Sequence, residues 1–166
     1  PRETRDRRRE CLREEIRLLG SILGRDERAA ELLRIMDGRL DPIRRRTASL
    51  EPSRRPRVYM AFWGVETRTP VAYEPVDAAG GMNVAAGVLA SFPGTLIAGV
   101  GLERILAWDP EIILVHGNYP PAERRVTTEG IRADPRFRSA RAVREDRVRY
   151  TFGFWNWWDP AEVLVE

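Results

Sequence analysis

Residues Glu111 to Val115 read EIILV, a short unbroken apolar run fenced by Asp109-Pro110 on one side and His116-Gly117-Asn118 on the other. Strict alternation would mark a strand with one wet face, whereas a continuous run of this length marks a strand covered on both faces, as in parallel sheets flanked by helices. Two further segments, Arg57 to Trp63 (RVYMAFW) and Arg147 to Phe152 (RVRYTF), are rich in β-formers. Helical stretches separate them. One runs around Tyr73 to Ala79 and is stopped by Gly80-Gly81, one spans Leu102 to Trp108, and one lies around Ala122 to Ala133. A turn of helix follows Asp134-Pro135, and Asp159-Pro160 caps a last helix. Strands parted by helices imply right-handed crossovers. The expected fold is therefore α/β: a three-layer lobe with a mainly parallel sheet flanked by helices.

Ahead of this lobe, Arg7 to Arg46 is patterned for helix, with Leu12, Ile16, Leu19, Leu23, Ala30, Leu33, Met36, Leu40 and Ile43 recurring at three- and four-residue steps. Gly20 and Gly24 interrupt the stripe, so two helices or a bent one compete with a straight rod. Asp41-Pro42 offers another start or kink. Thr47 to Pro56, with two prolines and two arginines, reads as a linker. The boundary falls near residue 55, giving a helical arm and linker over 1–54 and the α/β lobe over 55–166.

All 28 basic residues are arginine; 25 acidic residues interleave with them and leave a formal charge of only +3. Clusters such as Arg7 to Arg9 and Arg44 to Arg46 could grip phosphates. The interleaving favours solvated helix faces instead, and no nucleic-acid partner is expected. The single Cys11 cannot form an intramolecular disulfide. No basic segment followed by an apolar one precedes it, so an exported parent would carry its signal upstream of Pro1. No apolar run approaches the roughly 20 residues of a membrane-spanning helix.

Open parallel sheets bind ligands beyond the carboxyl ends of their strands, where loops are free of packing duty. That rule selects Phe62-Trp63-Gly64 after the first strand, His116-Gly117-Asn118-Tyr119 after the second, and Gly153 to Trp158 after the third. Four of the five tryptophans and the only histidine fall on this rim. Such a set suits stacking and apolar contact with a large flat or hydrophobic ligand. Candidate ligand-binding residues are Phe62, Trp63, His116, Asn118, Tyr119, Trp155 and Trp157. Trp155, Trp157 and Trp158 could instead pack beneath the last helix, and alternation sends at least one of them there. His116 could ligate haem iron or corrinoid cobalt, although a lone histidine is more often a hydrogen-bonded loop residue. Asn118 and Tyr119 suit carboxylates or amides.

Catalytic constellations are missing: there is no Gly-x-Ser-x-Gly turn, no phosphate-binding loop and no His-Glu-x-x-His, and Gly99-Val100-Gly101 lacks a third glycine. No catalytic residue, resident metal or cofactor is expected. An α/β enzyme or nucleotide-binding regulatory domain stands as the alternative of a different class.

Five segments in order resemble class III periplasmic substrate-binding proteins, the ABC-type iron-siderophore, haem and cobalamin binding family. Ile16 to Arg46 resembles the long connecting helix, and Arg55 to Gly64 (RPRVYMAFWG) the first strand of the C-terminal lobe. Glu74 to Ala85 (EPVDAAGGMNVA) is similar to the helix ending in a double glycine. Leu102 to Val115 (LERILAWDPEIILV) resembles the segment with Asp-Pro before the apolar strand, and Ala140 to Tyr150 (ARAVREDRVRY) the usual AVxxGRVY, with Asp146 where glycine is common.

The resemblance implies two α/β lobes joined by a long helix, a ligand held between them, and delivery to an ABC permease. This chain would supply the inter-lobe helix and linker (1–54) and the C-terminal lobe (55–166), without the N-terminal lobe. The ligand implied is a ferric siderophore, with haem or a corrinoid as alternatives, and the location is periplasmic or membrane-anchored outside the cell. Phe62 matches a position where relatives place an aromatic against the ligand, and Glu103 a glutamate that docks on permease arginines. Thr69 to Glu74 departs from the Gly-Ser stretch of many relatives, which puts its ligand contact in doubt. The aromatic rim favours a bulky organic or metal-chelate ligand over a bare tetrahedral oxyanion, which calls for arginine forks and backbone donors.

Overall fold

The computed structural model describes residues 2–62, 64–91, 95–116 and 125–151. The arm is two helices, α1 (Arg2–Ile22) and α2 (Asp26–Thr47), and not one bent rod. The reversal is made at Gly24, whose φ of +61° is a left-handed conformation that glycine adopts without penalty. The Arg25 N–H donates to the Gly20 carbonyl at 2.7 Å and the Gly24 N–H to the Ser21 carbonyl at 3.2 Å, the bond pair of a Schellman turn. Gly20 is buried because α1 and α2 approach closely there: a Cβ on it would sit 2.6 Å from the Ala29 Cβ.

The chain reversal redraws the apolar stripe. Leu33, Met36 and Leu40 of α2 pack against Leu12 and Ile16 of α1. Arg13 Nη1 binds both carboxylate oxygens of Asp37, at 2.6 and 2.7 Å. Ala29 is the buried alanine and Ala30 is exposed; Leu19 and Leu23, expected on the stripe, lie in solvent. α2 runs on through Pro42. A proline at that place forgoes the bond to the Gly38 carbonyl and neither starts nor ends the helix.

A 3-10 turn at Pro52–Arg54 leads into the lobe. Its strands are β1 (Arg57–Ala61), β2 (Arg68–Pro70), β3 (Met82–Asn83), β4 (Ile97–Gly99), β5 (Ile112–His116) and β6 (Val148–Thr151). The main sheet has the order β3-β1-β5-β6, every neighbouring pair parallel, with Ala61 opposite Val115 and His116 opposite Thr151. β2 and β4 form a separate antiparallel ribbon that the residue pattern did not reveal. The helices are α3 (Glu74–Ala78), α4 (Leu102–Trp108), α5 (Thr128–Ala133) and α6 (Arg141–Arg144). α5 begins later than the residue pattern suggested, because Thr127 caps it: its hydroxyl accepts from the Gly130 N–H at 2.9 Å. The expected helix after Asp159-Pro160 lies outside the described residues.

β1 alternates between two cores, which is the packing expected of a covered strand. Tyr59 and Ala61 join Ile113, Val115 and Val148 on one face, beneath Ile105 of α4, Ile131 of α5, Phe137 and Ala142 of α6. Val58, Met60 and Phe62 point to the other, where Tyr73, and Val76 of α3, cover them and Ile112 and Leu114 stay half-buried. The arm joins the lobe where the Thr47 hydroxyl donates to the Ala78 carbonyl at 3.2 Å. Gly80, at φ +82°, ends α3 directly against Thr47 and Leu50.

Candidate ligand-binding site

The carboxyl edge of the sheet holds the first two sequence-selected residues together. Phe62 follows the last residue of β1 and His116 ends β5. Ala61 pairs with Val115 in the parallel register, so the next residue on each strand, Phe62 and His116, falls side by side on the same face as Met60 and Leu114. Their ring centroids are 4.4 Å apart with planes 30° from parallel, a tilted stack within the range of favourable aromatic contact. His116 is completely buried. Burial disfavours its imidazolium, and despite an opposing backbone hydrogen bond it lowers the pKa to about 4. At neutral pH the imidazole is therefore uncharged, and the pair is a buried, largely apolar contact at the edge of the sheet.

The chain leaves β1 in a tight turn. The Phe62 N–H donates to the Arg68 carbonyl at 2.7 Å and the Arg68 N–H returns to the Val65 carbonyl at 3.2 Å, so the turn folds back into β2. The Tyr59 hydroxyl ties down the same turn by donating to the Glu66 carbonyl. Its burial, with Glu66 nearby as a lesser cause, pushes the phenol well above its ordinary range and keeps it a donor. Inside the turn, Gly64 has φ +65°, and the stem of Arg125 lies across it so closely that any Cβ would overlap the arginine's Cβ, Cγ and Cδ. The Val126 N–H donates to the Gly64 carbonyl at 3.0 Å and fixes that crossing. Arg125 was not singled out from sequence. It lies ten residues from the nearest predicted strand end, and only the fold brings it to β1.

Glu103 stands on the exposed surface in the first turn of α4, away from the Phe62–His116 pair in sequence and on a different element. Trp63, Asn118, Tyr119, Trp155 and Trp157 lie outside the described residues. Among the described residues no three His, Cys, Asp or Glu side chains form a group that could hold a metal ion. No described helix is long and apolar enough to cross a membrane.

The chain's sequence matches the profile of the periplasmic binding protein family over residues 2–152. The chain belongs to that family. Solved structures that share its fold include an ABC transporter solute-binding protein from Sulfurospirillum deleyianum, 24% identical with a TM-score of 0.72, covering 92% of this chain and 47% of its own length. The molybdate-bound periplasmic protein MolA of Haemophilus influenzae is 23% identical at TM-score 0.66, covering 84% of this chain and 40% of its own. A protein of an ABC-type Fe3+-hydroxamate transport system from Saccharomonospora viridis is 22% identical at TM-score 0.62, covering 84% and 47%. This periplasmic binding protein thus spans less than half the length of these three neighbours. No curated protein matches its sequence.

Proposed function

We propose that the chain is the connecting helix and carboxyl-terminal lobe of a solute-binding protein that feeds an ABC importer, and that its solute is a ferric siderophore or similar metal chelate. A second lobe would complete the cleft above Phe62 and His116. The observation that carries this reading is the family match over residues 2–152, supported by a parallel sheet whose carboxyl edge, at the ends of β1 and β5, lies where such sheets take ligands. Leu18, Leu19, Ile22 and Leu23 near the tip of the helical arm are 57–69% exposed, and such a cluster suits burial against that second lobe. Trp63, Asn118, Tyr119, Trp155 and Trp157 complete the proposed ligand contacts. Glu103, exposed at the start of α4, is proposed to dock on permease arginines. The location that goes with these roles is the periplasm, or the outer face of a membrane to which the protein is anchored.

Haem and corrinoids are the competing solutes on the same scaffold, and one assay addresses all three. Titrating the full-length protein with a ferric siderophore, haem or a corrinoid should quench its tryptophan fluorescence, and Trp155→Ala and Trp157→Ala should weaken the affinity. No response to any of these ligands, together with unchanged behaviour of both variants, would refute the proposed site.

A further inference from the structure

The arm and the lobe have separate apolar clusters: Leu33, Met36 and Leu40 pack with Leu12 and Ile16, and among the described residues no buried side chain of the lobe joins them. The angle between the two is therefore not set by a shared core. They meet where Thr47 and Leu50 sit on the double glycine that follows α3. Gly80 and Gly81 close α3 as a Schellman turn, the Gly81 N–H donating to the Val76 carbonyl at 2.8 Å and the Gly80 N–H to the Asp77 carbonyl at 3.1 Å. That turn accounts for the φ of +82° at Gly80, but not for the burial of the residue. A Cβ on Gly80 would lie 2.9 Å from Thr47 Cγ2 and Leu50 Cδ1 and 3.0 Å from Thr47 Cβ, and one on Gly81 would lie 3.0 Å from Val58 Cγ2 of β1. The first glycine thus seats the arm and the second seats the sheet. Thr47 is a stiff partner, since its side chain is short and β-branched and its hydroxyl lies 3.1 Å from the Ile43 carbonyl and 3.2 Å from the Ala78 carbonyl. The joint stands at the amino edge of the main sheet, where Arg57 and Met82 pair at the starts of β1 and β3. Parallel sheets take ligands at the opposite edge.

Resting on the reading that a solute is held between this lobe and a second one, we propose that Gly80 is a positioning residue for solute binding. With Thr47 and Leu50 seated on it, it fixes the angle at which the arm carries the lobe, and so the fit of the cleft. Moving a contact of 2.9 Å out to the roughly 3.5–4.0 Å at which carbons settle opens the joint by about 0.6–1.1 Å. Across the roughly 9 Å between packed helices that is a tilt of about 4–7°. At Arg34, about 20 Å along α2 from Thr47, the tilt amounts to about 1–2 Å. The residues that would face a ligand are unchanged by it.

Pulsed dipolar electron paramagnetic resonance on the full-length protein provides the test, with Cys11→Ser as background and spin labels on the exposed positions Arg34→Cys and Ser139→Cys. Without solute, Gly80→Ala should shift the mean distance by about 1–2 Å or broaden its distribution. Gly87→Ala, whose new Cβ meets nothing within 4 Å, should leave it as in wild type. Adding Thr47→Ser and Leu50→Val to Gly80→Ala removes two of the three clashing carbons and should return the distance towards wild type, although the left-handed backbone remains. Thr47→Ala empties the seat with no bulk added to α3 and should broaden the distribution, so the test holds even where Gly80→Ala fails to fold. In parallel, Gly80→Ala should weaken binding of whichever of a ferric trihydroxamate, haem or a corrinoid the wild type takes, by about 3- to 30-fold, and the triple variant should recover part of that. An unchanged distance in folded Gly80→Ala or Thr47→Ala, or a shift that the triple variant fails to reverse, would overturn the inference. So would a shifted distance with unaltered affinity, and in each of these cases the solute-binding reading would stand. A wild-type protein that binds none of the three probes would remove the solute-binding reading, and with it any role of the joint in a cleft.

Discussion

Replacing Gly20 with alanine separates two reasons for a glycine in α1. On helix propensity alone the change should stabilise the protein by about 1 kcal/mol. The crossing of α1 and α2 argues the opposite, since the new Cβ would lie 2.6 Å from the Ala29 Cβ and 3.4 Å from the Arg25 carbonyl oxygen. Non-bonded carbons settle at roughly 3.5–4.0 Å, so the helices would have to separate by about 1 Å. That movement loosens Leu33, Met36 and Leu40 against Leu12 and Ile16, and overpacking of this kind costs about 1–3 kcal/mol. The net expectation is a loss of about 0–2 kcal/mol in place of the gain. The sharper readout is a double-mutant cycle. Ala29→Gly alone should cost about 1 kcal/mol through propensity, whereas Gly20→Ala with Ala29→Gly leaves one methyl in the same gap and should be close to neutral. A coupling of about 1–3 kcal/mol follows, measured by urea unfolding of the four proteins with far-ultraviolet circular dichroism. A stabilised Gly20→Ala, or single effects that add within about 0.5 kcal/mol, would refute the steric account.

His116 makes stability depend on pH in a definite direction. Its folded pKa of about 4 lies below the ordinary 6.5, so between these values the unfolded chain binds the proton and the folded one does not. Stability should fall as pH drops from 6.5 towards 4, by an amount on the order of 3 kcal/mol, and be indifferent to this group above 6.5. His116→Phe should abolish that component; an unchanged pH profile in the variant would show that another group is responsible. Glu103→Ala should leave solute affinity unaltered while lowering solute-stimulated ATP hydrolysis by the reconstituted importer. Loss of affinity instead would place Glu103 in the ligand site.

Three of the four strands of the central sheet, β1, β5 and β6, are legible in sequence, the first two because a covered strand writes its environment into every residue, whereas the two-residue β3 was not read. β5 is the EIILV run shifted by one residue, without Glu111 and with His116, and β1 is RVYMA without the two aromatics that follow. The ribbon of β2 and β4 was invisible, since Arg68-Thr69-Pro70 and Ile97-Ala98-Gly99 are three residues each and carry no period. Gly20 and Gly24 were read as interruptions that left two helices, a bent one and a straight rod open; one permits a close crossing and the other a left-handed turn, and neither role can be told from propensity. At the candidate site the sheet rule put Phe62 and His116 on one rim, and the β1–β5 register of the structure makes them neighbours. Arg125 escaped notice since its position depends on a loop connection and a glycine conformation, which are tertiary facts.

The order β3-β1-β5-β6 also governs how the chain reaches its native state. Val58 finds Asn83 on one side and Ile112 on the other, and no pair of adjacent strands in the main sheet is joined by a hairpin. The α1–α2 pair can close locally at its Schellman turn, but β1, with four of its five residues destined for burial, must wait for more than fifty further residues before its second neighbour exists. Non-local pairing of this kind slows folding and leaves an apolar strand with open edges in the meantime. During synthesis or after unfolding, RVYMAF is therefore the segment on which aggregation of this protein should begin.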